Sequence, residues 1–415
     1  MSSDAGKQRT SRELLFLKRM FSSYYRRVKI PPPPDFKYRE FGFMLWDKDV
    51  MVRHKSFSDA EQLQNFLAEY GPKHAYRSVA YYYDPEASTM ESKGWIGADL
   101  VFDVDADHLN TPCKMEHDFW VCEHCGAHGR GGKPEQCHKC GSSNIKEFTW
   151  ICERCLDLAK EEIIKLKDFL IDDFGISPYE LKIVYSGHRG YHLHVYSEVV
   201  RDLTRDERRE MLDYIKGIGL SVSSFYRKSS GVIIFEREGW GGRILKSLEN
   251  LLRDEDGLTA LKDMSEMDRS TLEKLRSYKS VILRGLREES PKIILPKGVG
   301  EKTLIKLLAK ALKMFEVEVD EPVTIDVHRI IRLENSLHGK TGFRVTEIPL
   351  NYLDKFDAFK DAIVFRGEVS IKFLFDCPPL RIGEEVFGPF KRGQKVEVPM
   401  ALAIFVLARG VAILL

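Results

Sequence analysis

The chain has 415 residues, 43% of them hydrophobic, which is enough for two or three domains with at least one sizeable core. Its 64 Lys and Arg nearly cancel its 63 Asp and Glu, so no global field favours nucleic acid, and any such contact must come from local basic patches. Residues 1–10 are polar and lack the apolar core of an export signal.

Residues 11–29 read as a helix, with Ser11 as cap and an apolar stripe of Leu14, Leu15, Leu17, Met20, Phe21, Tyr24 and Tyr25. Pro31 to Pro34 end it as a stiff connector. Residues 39–53 suggest a hairpin turning at Asp47-Lys48-Asp49, and residues 58–70 a helix. Arg39, Arg53, His54 and Lys55 are candidates for phosphate contact, but basic residues at strand ends are usually just solvated.

Residues 97–108 hold the first chemical stretch. Alternation turns Leu100, Phe102 and Val104 to one face of a strand and Val101, Asp103 and Asp105 to the other. Two carboxylates side by side repel each other, and a hard divalent cation such as Mg²⁺ or Mn²⁺ removes that penalty. The pair therefore suits metal-dependent phosphoryl transfer. Alone it better suits a strand end entering an acidic, solvated turn, so other stretches must decide.

Six of the eight cysteines lie in Cys-x-x-Cys pairs, which in a chain of this size read as metal ligands in a reducing compartment rather than as a disulfide framework. Cys122, Cys125, Cys137 and Cys140 have the spacing of a complete zinc ribbon. Cys113, His117, Cys152 and Cys155 flank it as if the ribbon had been inserted into a Cys-His-Cys-Cys knuckle. His124, His128 and His138 are competing ligands.

Residues 156–174 read as a helix, and residues 181–196 as a strand, a Ser186-Gly187-His188-Arg189-Gly190 turn and a second strand with His192 and His194 on one face. The glycines would let backbone amides approach an anion, with Ser186 and Arg189 beside them. An ordinary hairpin is the competing reading. Residues 201–278 alternate helical stripes with charged faces, as in 248–253 and 267–278, and Gly298-Val299-Gly300-Glu301 opens a further helix through Met314. Phe315, Val317 and Val319 predict a strand ending at Asp320, after which Thr324 caps a helix carrying Ile325, Ile330, Ile331 and Arg332. Gly339-Lys340-Thr341 is not an ATPase phosphate loop, because position 334 is Glu where that motif requires Gly. Arg332, His338 and Lys340 still suit phosphate oxygens. The apolar run 400–415, broken by Arg409 and Gly410, is too short for a confident membrane span and reads as a buried terminal helix or a partner-binding face.

An Asp-x-Asp strand, a zinc knuckle, Ser-Gly-x-Arg-Gly-x-His and then Arg-x-x-x-Ser-x-His-x-Lys-Thr-Gly, in this order, resemble the small catalytic subunit of archaeo-eukaryotic DNA primases, the archaeal branch most closely, over about residues 39–390. The resemblance implies an α/β (α+β) catalytic core formed by 1–112, 156–200 and 316–415, a zinc-binding module at 113–155 and a helical subdomain at 201–315. It implies that Asp103, Asp105 and Asp320 hold Mg²⁺ or Mn²⁺, with Asp326 as rival to Asp320. Ser186, Arg189, His192, Arg332, His338 and Lys340 would bind the incoming triphosphate, and one or two structural Zn²⁺ would occupy the cysteine groups. The ribbon departs from the shortest family members, which leaves the zinc pairing open. The implied activity is template-directed synthesis of short primers from NTPs, or dNTPs, on single-stranded DNA, with a large regulatory subunit as partner and no membrane. The implied location is cytoplasmic for an archaeal chain and nuclear for a eukaryotic one. A primer-extending repair polymerase of the same superfamily and a noncatalytic zinc-ribbon nucleic-acid-binding protein are the alternatives.

Overall fold

The computed structural model describes residues 11–229, 231–253 and 268–415. The polar segment 1–10 and Met267 lie outside the described residues. Helices and several sheets alternate along the chain, a mixed α/β architecture. The described residues fall into two compact units, one of 11–164, 176–209 and 319–415, the other of 165–175 and 210–318.

Two antiparallel four-stranded sheets organise the first unit. Its strands are β1 (Phe41–Met44), β2 (Val52–Lys55), β3 (His74–Ser78), β4 (Leu100–Asp105), β5 (Leu181–Tyr185), β6 (Gly190–Val195), β7 (Ile330–Arg332) and β8 (Thr346–Ile348). One sheet runs β7-β3-β1-β2 and the other β8-β5-β6-β4. In the second sheet the register sets His192 opposite Asp103 and Gly190 opposite Asp105, so these groups share an end of one face. Leu100, Phe102, Val104, Tyr191, Leu193 and Val195 are buried on the other.

A buried ionic network joins the sheets. Arg77 of β3 is fully buried and donates from Nη2 to Glu334 Oε1 at 2.6 Å and from Nη1 to Asp99 Oδ2 at 3.2 Å. Its Nη2 also meets His194 Nδ1 of β6 at 3.2 Å. Arg39 reaches the same Asp99 oxygen at 2.8 Å, and Arg208 donates to the Asp99 and Ala98 carbonyls. Glu334, the residue that breaks the phosphate-loop pattern, is thus a structural counter-ion. Burial alone would raise its pKa, and Arg77 overrides that and holds it well below the usual carboxylate range.

Several expectations are corrected. Residues 315–319 form no strand; the Asp320 backbone N–H instead bonds Asp103 O at 2.8 Å. The helix that follows is only Glu321–Ile325, capped at Asp320 rather than Thr324, and Ile330–Arg332 is β7. Consecutive β-branched residues Val323, Thr324 and Ile325 propagate a helix poorly, whereas Ile330 and Ile331 fit the edge of β3. The terminal run is helix Met400–Arg409, stopped by Gly410 at φ 72, followed by a strand Ala412–Leu414. The second unit, expected to be helical, also carries a three-stranded sheet of Tyr226–Ser229, Val232–Phe235 and Lys292–Ile294, whose Val232-Ile233-Ile234-Phe235 is a strand signal. No helix among the described residues is long and apolar enough to cross a membrane.

Arg77→Met should strand Glu334 and Asp99 and cost ~3–5 kcal/mol of stability, measured by denaturant unfolding. Because the Glu334 pKa is depressed, its contribution is complete above its ordinary value of 4.5 and is lost as pH falls below that. The penalty of Arg77→Met should therefore shrink in acid.

Candidate active site and metal centres

Asp103 and Asp105 project from β4 because side chains alternate along a strand. Asp320 is held beside them by its backbone bond to Asp103 O. Asp103 is pushed up to about 7, first by burial and then by the charges of Asp105 and Asp320. Asp105 is raised by burial and by Asp107. Asp326 has other partners: its Oδ1 accepts His328 N–H at 3.0 Å and sits 3.9 Å from Arg205. The carboxylates that press on Asp103 are Asp105 and Asp320. Hard oxygens crowded until one resists ionisation suit a divalent cation, although among the described residues only the two cysteine groups bring all their ligand atoms within 4.8 Å of one another.

Opposite the carboxylates lies a cluster of imidazoles and cations. Arg332 Nη2 donates to His338 Nε2 at 2.9 Å, and Nη1 meets His74 Nδ1. His338 stacks on His188 with centroids 5.0 Å apart, and His188 Nε2 accepts from Arg409 Nη2 at 3.1 Å. Burial, reinforced by the neighbouring cations, holds His74, His188 and His338 well below the ordinary imidazole value. They are neutral acceptors. His192, lowered to about 3 by burial and then by Arg332, sets Nε2 3.5 Å from Asp103 Oδ1. Arg332 makes no ion pair within 4.0 Å among the described residues, so its charge is left for an anion.

The remaining candidates are placed differently from one another. Ser186 Oγ accepts the backbone N–H groups of His188 and Gly190 and so braces its own turn. Gly187, at φ 83, would carry a Cβ 2.6 Å from that of His338, and a Cβ on Gly190 would fall 2.3 Å from Val104 O. These glycines let the turn pack against the His338 loop and β4, a use the sequence reading did not assign them. Arg189 is buried and bonds Asp118, with Nη1 2.9 Å from Asp107 Oδ1. Lys340 is exposed. Arg39 and Arg53, weighed as phosphate contacts, pair instead with Asp99 and Glu40. His74, His188, Arg409 and Asp118 were not assigned to the site; His188, Arg409 and Asp118 lay inside stretches already singled out for other reasons, and no local pattern marks His74.

Cys113, His117, Cys152 and Cys155 form one group able to hold a metal, and Cys122, Cys125, Cys137 and Cys140 the other. Sulfur pairs stand at 3.4 Å (Cys113 and Cys155) and 3.6 Å (Cys122 and Cys140, Cys125 and Cys137), close to the ~3.8 Å edge of a tetrahedron with zinc–sulfur bonds of ~2.3 Å. His117 offers Nε2 to this group, 3.3 Å from Cys155 Sγ, while Nδ1 meets Asp118. That division of the ring nitrogens is typical of a ligating imidazole. His124, His128 and His138 join neither group.

Paired carboxylates on a strand, a basic and imidazole cluster across from them and two thiolate groups make a centre suited to anions and cations together. A model of the DNA primase small subunit family matches residues 144–350. The chain is 34% identical to the DNA primase small subunit PriS of Methanothrix thermoacetophila, covering 97% of this chain and 99% of that protein. It is also 34% identical to the proteins of the same name from Methanococcoides burtonii (96% and 97% covered) and Halorubrum lacusprofundi (96% and 97%). The chain belongs to the DNA primase small subunit family, in its archaeal branch.

Elemental analysis should find two zinc ions per chain, falling to one in Cys125→Ser and to one in Cys155→Ser. Because the Asp103 pKa is raised, ionisation of this group opposes folding above pH 7, and the opposition fades toward pH 3.8. Asp103→Asn should therefore stabilise the protein without added Mg²⁺ by ~2–4 kcal/mol at pH 8 and by little at pH 4, measured by denaturant unfolding.

Proposed function

We propose that this chain is the catalytic subunit of a DNA primase, joining NTPs, and dNTPs where the sugar pocket admits them, into short primers on a single-stranded DNA template. The observation that carries the reading is the convergence of Asp103, Asp105 and Asp320, from segments more than 200 positions apart, beside neutral imidazoles and Arg332 in a member of this family. Asp103, Asp105 and Asp320 would hold two Mg²⁺ or Mn²⁺, which when bound lower the pKa of the attacking 3′-hydroxyl and neutralise the departing pyrophosphate.

The chain's own residues then have separable tasks. His192, neutral and 3.5 Å from Asp103, orients that carboxylate without adding a competing positive charge. Arg332 is aimed by His74 and His338, which bond it yet leave its charge uncompensated, and this favours a triphosphate. Lys340 adds charge from the exposed loop tip, whereas Arg189, already paired with Asp118 and Asp107, contributes guanidinium donors held in place at the turn. Ser186 holds that turn closed through two backbone amides. Starting a strand also needs a second nucleotide held beside the first, against the entropy of association. The family reading assigns part of that task to a large regulatory subunit as partner.

De novo synthesis on unprimed single-stranded DNA with labelled nucleotides and Mg²⁺ or Mn²⁺ tests the reading, with the large subunit supplied. Short products should form with wild type, fall at least ~10³-fold in Asp103→Ala and Asp320→Ala, and persist in Asp326→Ala. Extension of primed templates alone would favour a repair polymerase of the same superfamily, and no incorporation with intact zinc would favour a binding module. At limiting Mg²⁺ the rate should fall as pH drops below 7, where a proton competes for Asp103, and additional Mg²⁺ should restore it.

A further inference from the structure

One buried carboxylate touches both the first metal group and the Ser-Gly-x-Arg-Gly turn. Asp118 directly follows His117, and its Oδ1 lies 2.8 Å from His117 Nδ1, the nitrogen turned away from the thiols. Both Asp118 oxygens accept from Arg189 Nη2, at 2.9 and 2.8 Å, and Oδ1 also accepts the Trp150 N–H at 2.7 Å. Arg189 continues to Asp107, two residues beyond Asp105, and its charge is felt by Asp105 itself. The path from Cys155 to the catalytic strand therefore runs Cys155, His117, Asp118, Arg189, Asp107, with every step at 3.3 Å or less.

The chemistry of the path makes it directional. An imidazole that ligates a metal through Nε2 must keep its proton on Nδ1, so it donates to Asp118 and fixes how that carboxylate faces. A fixed carboxylate holds the Arg189 fork in one plane. Without the metal the ring can turn or change tautomer, and Asp118 loses one of the donors that orient it.

We propose that Asp118 is a positioning residue, coupling metal occupancy of the Cys113, His117, Cys152 and Cys155 group to the orientation of Arg189 and thereby to triphosphate binding. The last step rests on the primase reading, in which Arg189 serves the incoming nucleotide. Linkage makes the coupling reciprocal: if the metal favours nucleotide, nucleotide must retain the metal by the same factor.

The test follows zinc leaving the full-length protein to a chromogenic chelator, with and without NTP, in wild type, Asp118→Asn and Arg189→Ala. Cys125→Ser, which lacks the ribbon site, identifies the phase that belongs to the knuckle. That phase should accelerate about 10–100-fold in Asp118→Asn and in Arg189→Ala, while the ribbon phase stays at the wild-type rate. NTP should slow the knuckle phase of wild type and have no effect on it in Asp118→Asn. In primer synthesis with the large subunit, Asp118→Asn should raise the KM for NTP about tenfold with kcat changed less than about threefold, the signature of weakened binding.

A knuckle phase unchanged in Arg189→Ala would overturn the coupling, because a turn residue that merely packs nearby would not hold zinc. Equal acceleration of both phases in Asp118→Asn would also overturn it, marking general loosening of the fold. If Arg189→Ala speeds zinc loss but wild type neither binds nor polymerises NTP, the link from knuckle to turn is upheld and the primase reading, with the nucleotide step, fails.

Discussion

A guanidinium sealed from water is tolerable only where carboxylates and hydrogen-bond acceptors meet its donors, and Arg77 is sealed completely. Its partners come from both sheets: Glu334 after β7, Asp99 before β4 and His194 on β6. Each network member sits a short step along the same segment from a residue of the candidate site. Arg77 shares β3 with His74, His194 shares β6 with His192, and Glu334 follows Arg332 by two positions. Satisfying one buried cation therefore sets the relative placement of the groups proposed to handle phosphate and metal. A sheet that slipped by one residue would carry its charges to the wrong face and leave Arg77 unpaired.

The site has two electrostatic ends. At one end carboxylates crowd until burial and mutual repulsion push Asp103 up to about 7. At the other, His74, His188 and His338 are kept neutral by burial and by neighbouring cations, so they accept hydrogen bonds from Arg332 and Arg409 without cancelling their charge. Neutral acceptors aim a cation and leave it attractive to an anion, whereas a carboxylate in the same place would consume it. Arg189 shows the contrast, since it is already paired with Asp118 and Asp107.

The thiolate module extends the same economy of contacts. Its ribbon group rests on a small three-stranded sheet of Phe119–Cys122, His128–Arg130 and Ile145–Phe148, while the knuckle group lies against Ala106, next to the end of β4. Of the two, the knuckle is thus the one with a short route to the site, through the hydrogen bonds of Asp118 and the ion pair of Arg189 with Asp107. The ribbon has its own cluster, built on Trp120 and Ile145.

What the sequence determined by itself is whatever depends on short spacing. Alternation placed Asp103 with Asp105 and His192 with His194 on strands that the structure contains, Cys-x-x-Cys spacing grouped Cys122, Cys125, Cys137 and Cys140 as they are found, and Cys113 and His117, expected beside Cys152 and Cys155 only as residues flanking the ribbon, do join that pair. The mixed α/β class and the family were legible in the same local motifs. Local pattern failed where tertiary contact overrides propensity: the 315–319 stretch alternates like a strand but is not one, and Ile330–Arg332 leaves a helical pattern for the edge of β3. Only the folded chain could decide the long-range partners, because nothing in a window of ten residues announces them. Arg77 and Glu334 are 257 positions apart, Arg409 and His188 221, and Arg189 and Asp118 71. Buried charges choose partners by proximity after folding, and proximity across such separations is a property of topology, which no spacing rule along the chain encodes.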